Sequence, residues 1–134
     1  LPLHATGVGK VLLAHAGEPL FDQVCAAGLR RHTAHTVTSP DRLRQELADV
    51  RRTGVGYARE EMSLGSHSVA APVFDGTGAV VAALAVVQRS DRGEVHRLAV
   101  AVRATAISLS RVLQERSGPT SPSPPADAAL PRSR

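Results

Sequence analysis

The sequence predicts an α+β fold, an antiparallel sheet raised on one hairpin and covered by helices. Two observations carry that prediction. The stretch from His67 to Val87, HSVAAPVFDGTGAVVAALAVV, holds two apolar runs, Val69 to Phe74 and Ala79 to Val87, around Asp75-Gly76-Thr77-Gly78. Both runs are rich in β-branched residues, and the four residues between them suit a reversal with positive φ, so the segment reads as a β-hairpin. Neither run alternates with polar residues, which places both strands in the middle of a sheet with cover on at least one side. The second observation is the cover itself. From Glu94 to Arg116, the residues Val95, Leu98, Ala99, Val102, Ala106, Leu109 and Val112 or Leu113 recur at three- and four-residue spacing, the stripe of a long amphipathic helix.

The remaining elements follow in chain order. In LPLHATGVGKVLLAHA, Pro2 and the pair Gly7, Gly9 hold the start out of regular structure, and Lys10 to His15 shows helical spacing, with Val11, Leu12 and Ala14 available for burial. Thr6 is placed to cap this helix, and the amides of Gly7, Val8 and Gly9 would project from its N-terminus, an arrangement suited to a carboxylate or phosphate. Glu18 to Gly28 is a second short helix, with Pro19 in its first turn, Leu20, Phe21, Val24 and Cys25 near one face, and Gly28 as its stop. Leu29 to Thr38 is polar and basic, a loop or short edge strand. Ser39-Pro40-Asp41 then opens a well-marked helix that buries Leu43, Leu47 and Val50 and ends at Gly54. Val55 to Leu64 contains Tyr57 and reads as a short strand feeding the hairpin. After the hairpin, Gln88 to Gly93 is a polar turn. Ser117 to Arg134, rich in Ser, Pro and Ala, cannot bury enough to offset its ordering entropy and is expected to be a disordered tail.

Composition excludes several functions. At 134 residues and 43% hydrophobic, the chain can bury one core. The lone cysteine, Cys25, rules out an internal disulfide framework and fits a reducing, cytoplasmic compartment. No apolar run reaches the ~18–20 residues of a membrane span, and no basic-then-apolar leader opens the chain. The net charge of +4 comes from scattered arginines, and with 2% aromatic residues there is no stacking surface for bases. A P-loop fails on spacing, because His4 stands where its first glycine should be and Val11 where Ser or Thr should follow the lysine. Leu12 breaks the dinucleotide fingerprint in the same way. His32 and His35 lack a third ligand at a matching interval, so no metal or other cofactor is expected. Glu60 and Glu61, adjacent on a strand, would point to opposite faces and cannot act as a carboxylate pair. Ser66, His67 and Ser68, neighbours on a strand, cannot form a nucleophile–base pair, so the chain is not expected to be an enzyme.

Four blocks, LHATGVGKVLLA, SPDRLRQELADVRRTG, REEMSLG and SVAAPVFDGTGAVVAALAV, stand in this order between Leu1 and Leu113. Together they resemble the effector-binding domain of the isocitrate lyase regulator (IclR) family of bacterial transcription factors. The resemblance implies a GAF-like (profilin-like) domain over residues 1–116, an antiparallel sheet with helices on both faces and a small-molecule pocket. It also implies a dimer or tetramer and DNA binding only through a winged helix-turn-helix upstream. The resemblance further implies that the DNA-binding part and the first strands of the effector domain are absent from this chain, since the family's sheet begins before the HATG block. The opening on Leu1 rather than Met is what a fragment is expected to show. The implied effector positions are Gly7 and Val8, whose amides receive a carboxylate, with Ala58, Met62, Ser66, Ser68, Ala85 and Val87. Ala58 replaces an acidic residue frequent in the family, Ser68 a frequent cysteine, and Ala85 and Val87 frequent hydroxyl-bearing residues. That loss of polarity points to an aromatic or otherwise apolar acid as effector. The alternative reading is a stand-alone GAF-like ligand-binding module with no DNA role.

Overall fold

The computed structural model describes residues 2–89 and 94–117. Within them run α1 (Gly7–His15), α2 (Glu18–Ala27), α3 (Pro40–Thr53), β1 (Gly56–Arg59), β2 (Ser66–Phe74), β3 (Val80–Arg89) and α4 (Glu94–Ser117). The three strands form one antiparallel sheet in the order β1-β2-β3. Gly56 pairs with Ala70 and Ala58 with Ser68; across the hairpin Ser68 pairs with Val87 and Ala70 with Ala85. The predicted tail beyond Ser117 lies outside the described residues, as do residues 90–93 of the predicted polar turn.

Strand alternation divides the core in two. On one face, Ala70, Ala83 and Ala85 pack with Val11 and Leu13 of α1 and with Leu43, Leu47 and Val50 of α3. On the other, Val69, Ala71, Val73, Leu84 and Val86 meet Val95, Ala99, Val102 and Ala106 of α4. Helices therefore cover both faces. Pro72 falls after β1 has ended opposite Ala70, where a missing N–H forfeits no ladder bond to that strand.

Local signals explain the element ends. Ser39 caps α3 by accepting from the Arg42 amide, Pro40 occupies the first turn, and Gly54 closes the helix in the left-handed conformation at φ 79°. In the β2–β3 turn, Asp75 Oδ1 accepts from the Thr77 amide (2.8 Å), the Thr77 hydroxyl (2.6 Å) and the Ala79 amide (3.1 Å).

Four expectations are corrected. α1 begins at Gly7, not Lys10, because its glycines are sites of close approach rather than breakers. A Cβ on Gly9 would lie 2.5 Å from Leu3 Cα, so the incoming chain can fold back against the helix only there. Among the described residues only β2 has a strand on each side; β3 continues to Arg89 and pairs with β2 alone, half-exposed along much of its length. In α4 the buried stripe runs through Ser110, whose hydroxyl accepts from the Phe74 amide and donates to Ala106 O, and leaves Leu109 and Val112 exposed. Glu60 and Glu61 lie past the end of β1 in a tight loop, Glu60 at φ 55° and Glu61 turned inward.

Candidate functional site

The site is built where α1 begins. Thr6 takes its N-cap position, its hydroxyl accepting from the Gly9 amide at 3.0 Å and its carbonyl from the Lys10 amide at 3.0 Å. The helix then descends onto the sheet over small residues. A Cβ on Gly7 would meet Ser68 Oγ at 3.0 Å, Gly56 O at 3.2 Å and the Ala70 Cβ at 3.4 Å, and one on Gly56 would meet Gly7 O at 3.1 Å. The row Gly56–Ala70–Ala85 lets α1 sit this close. The next row, Ala58–Ser68–Val87, meets the start of the helix at Ser68, whose Oγ faces Gly7. A cavity of about 200 Å³ remains between that row and the first turn of α1.

All eight positions named from the sequence line this one cavity: Gly7 and Val8 from α1, Ala58 from β1, Met62 from the β1–β2 loop, Ser66 and Ser68 from β2, Ala85 and Val87 from β3. Ala5 and Thr6 complete the wall and were not singled out as lining residues. Ala58 and Ser68 are buried, while Met62 and Val87 are 41% and 66% exposed and form the mouth. Leu64, the first apolar residue after Met62, is not part of the wall and stands 71% exposed.

The polar end differs in detail from a bare pair of amides. The Gly7 amide already donates to Ser68 Oγ at 3.1 Å, both groups being buried. That bond uses an oxygen lone pair and leaves the Ser68 hydroxyl proton to be donated elsewhere. Among the described residues no acceptor meets the Val8 amide. Two donors, the Val8 N–H and the Ser68 O–H, are thus set beside the positive end of the helix dipole. The rest of the wall is apolar, apart from Ser66 and the cap residue Thr6.

A buried charge cluster fixes the loop that carries Met62. Lys10 is 2% exposed, and its Nζ donates to Glu46 Oε2 (2.7 Å), Glu61 Oε1 (2.7 Å) and the Tyr57 carbonyl (2.9 Å). Glu61 Oε2 accepts in turn from the Arg59 amide at 3.0 Å, and the Glu61 carbonyl from the buried Thr36 hydroxyl. All three ammonium protons are used, so the lysine that resembled a phosphate reader ties the helix to the loop instead. Its sequence signal is faint: a single cation in the otherwise apolar stretch Val8 to Ala14.

No group of His, Cys, Asp and Glu among the described residues has the geometry of a metal site. No described helix is long and apolar enough to cross a membrane.

Known proteins share this architecture. Residues 1–111 match the family described as bacterial transcriptional regulator IclR, C-terminal. The regulator KdgR of Dickeya chrysanthemi is 40% identical over 86 residues, which are 63% of this chain and 28% of KdgR. Among solved structures, an IclR homologue from Microbacterium hydrocarbonoxydans complexed with 4-hydroxybenzoate superposes with a TM-score of 0.80 at 33% identity, over 86% of this chain and 47% of that one. The inducer-binding domain of a PobR double mutant from Acinetobacter, in complex with 3-hydroxybenzoic acid, gives 0.76 at 30% identity, over 84% and 67%. The chain thus spans less than a third of KdgR and about half of the Microbacterium homologue. These relatives are transcription regulators, and the three-stranded antiparallel sheet with its four helices matches part of their structures, including 71% of the C-terminal domain of the Escherichia coli regulator KdgR. The chain belongs to the IclR family of bacterial transcription regulators, and what it carries is that family's C-terminal, effector-binding domain.

Proposed function

We propose that this domain senses a small aromatic or otherwise apolar carboxylic acid for a DNA-binding regulator. The carboxylate is received at the start of α1 by the Val8 amide and the Ser68 hydroxyl, with the Gly7 amide behind Ser68. The apolar body lies against Ala58, Met62, Ala85 and Val87. Residues 1–116 form a GAF-like unit that oligomerises, works in the cytoplasm, and acts on DNA through a winged helix-turn-helix upstream. The observation that carries this reading is the convergence of all eight positions on one cavity whose polar donors sit at a helix N-terminus. The hydroxybenzoates bound to two structural relatives support the ligand class.

Magnitudes favour an aromatic acid over a small 2-oxo acid. Charge-assisted hydrogen bonds at the carboxylate contribute roughly 1.5–3 kcal/mol each and are common to both ligands. A 2-oxo acid then needs polar partners for its other end, where this wall offers methyl groups. An aromatic ring buries apolar area there at about 25 cal/mol per Å². Calorimetry on the 134-residue chain should show 4-hydroxybenzoate or benzoate binding at least tenfold more tightly than pyruvate or glyoxylate. Ser68→Ala should weaken every acid, whereas Val87→Ser should narrow the gap between the two classes. Pyruvate binding as tightly as benzoate, or indifference to both substitutions, would overturn the reading.

A further inference from the structure

The opposite end of α1 opens onto a second and larger cavity, of about 380 Å³, between the last turns of α1 and α3, the end of β2, and α4. Its floor is apolar: Ala71, Pro72 and Ala106 are buried, and Phe74 and Ile107 reach into it. Its rim is cationic. Arg51, Arg52, Arg103 and Arg111 line it together with His15, and among the described residues no carboxylate does.

The arginines are only partly compensated. Arg51 Nη1 donates to the Ala14 carbonyl at 3.0 Å, which fixes its guanidinium beside the C-terminus of α1. Arg52 pairs with Asp49 at 3.1 Å on the exposed side of α3. Arg103 lies over Gly54, where a Cβ would come within 3.0 Å of its Nε. Neither Arg103 nor Arg111 has an acidic partner among the described residues. Along α4, Arg103, Ile107 and Arg111 succeed one another at four-residue spacing, so two cations flank one apolar contact on the same face. His15 registers the surroundings: burial first, and the Arg51 charge second, hold its imidazole below the usual histidine range. Its Nε2 is buried with no hydrogen-bond partner. Four guanidinium groups around one concavity repel each other until a counter-charge enters, and guanidinium is the group best matched to planar or tetrahedral oxyanions.

We propose that this cavity is a second ligand site, for an organic dianion with a compact apolar body, its oxyanions held by Arg103 and Arg111 at the rim and its body on the floor between Phe74 and Ile107. It is independent of the acid site at the start of α1, with which it shares no lining residue. Phenyl phosphate, with its charge concentrated, and terephthalate, with its charge divided, are the two probes that distinguish the arrangements. Amide chemical shifts of the 134-residue chain should saturate around Gly54, Phe74 and Ile107 with one of them. The affinity should be at least tenfold above that of benzoate or inorganic phosphate at the same residues, and unaltered by saturating 4-hydroxybenzoate. The double substitution Arg103→Gln, Arg111→Gln should weaken binding at least tenfold, and Ile107→Glu should abolish it. All three side chains are exposed, so these variants keep the fold. Lack of saturable shifts at those residues, equal affinity for inorganic phosphate, competition with 4-hydroxybenzoate, or unchanged affinity in both variants would overturn the proposal. So would a DNA duplex that shifts the same residues at lower concentration than either probe.

Discussion

Lys10 shows how much one side chain can settle. Burying an ammonium group costs several kcal/mol, recovered only when its protons and the facing oxygens are all matched. Here they are: three acceptors lie within 2.9 Å, and both Glu61 oxygens are engaged. Removing the cation strands Glu61, itself buried, without a counter-charge. Lys10→Met should therefore destabilise the domain by about 3–5 kcal/mol in urea unfolding. Glu46→Gln, at a carboxylate more open to water, should cost about 1 kcal/mol or less. Equal stability of the two variants would show that the cluster is not the anchor described here. None of this was legible in the sequence, since the partners of Lys10 lie 36, 47 and 51 residues away. The same distance hid the bond between the Gly7 amide and Ser68, which are 61 residues apart. Eight of the ten residues that line the cavity were legible, through the resemblance carried by four blocks in order rather than through any local rule, while Ala5 and Thr6 were not.

At the level of elements, what could be read was what is decided locally. Ser39, Pro40 and Gly54 delimit α3 through contacts within a few residues, and the helix runs as those residues dictate. Glycines misled because the same residue serves two purposes: in α1 they admit a neighbour, and only the neighbour shows it. Among the described residues β3 has a strand on one side only, and strand order, which no local pattern fixes, decides what such an apolar run pairs with. The β2–β3 turn was read correctly as a reversal, and its chemistry makes a pH prediction. Hydrogen bonds from the Thr77 hydroxyl, then from the turn amides, hold the Asp75 carboxyl below its usual range. A carboxyl depressed in the folded state contributes its full stabilisation above the unfolded value and loses it as pH falls through the folded one. Asp75→Ala should thus lower the melting temperature at neutral pH, with the difference from the parent shrinking below the ordinary carboxylate range. A difference that stays constant down to pH 2 would exclude this account.

Taken together, the described residues leave two apolar surfaces open. β3 has no ladder partner on its outer edge among the described residues, and it runs from Val80 to Val87 without a charge. Val100, Leu109 and Val112 are exposed along α4. A long apolar edge is a template for another strand, and exposed apolar side chains in a row favour association. Sedimentation of the chain should accordingly show a dimer or larger species at micromolar concentration. A concentration-independent monomer would count against oligomerisation through these surfaces. The proposed acid site adds a property of a different kind, one that concerns descent rather than energy. Its anion-facing end includes a backbone amide, which no substitution at Val8 other than proline removes, whereas its opposite wall consists of short side chains on separate strands. Exchanging Ala85 for serine or Val87 for alanine takes a single base change each, at positions on β3 that are not fully buried. A lineage carrying this domain can therefore drift from one acid to another in small steps, each intermediate still folded and still fit to receive a carboxylate.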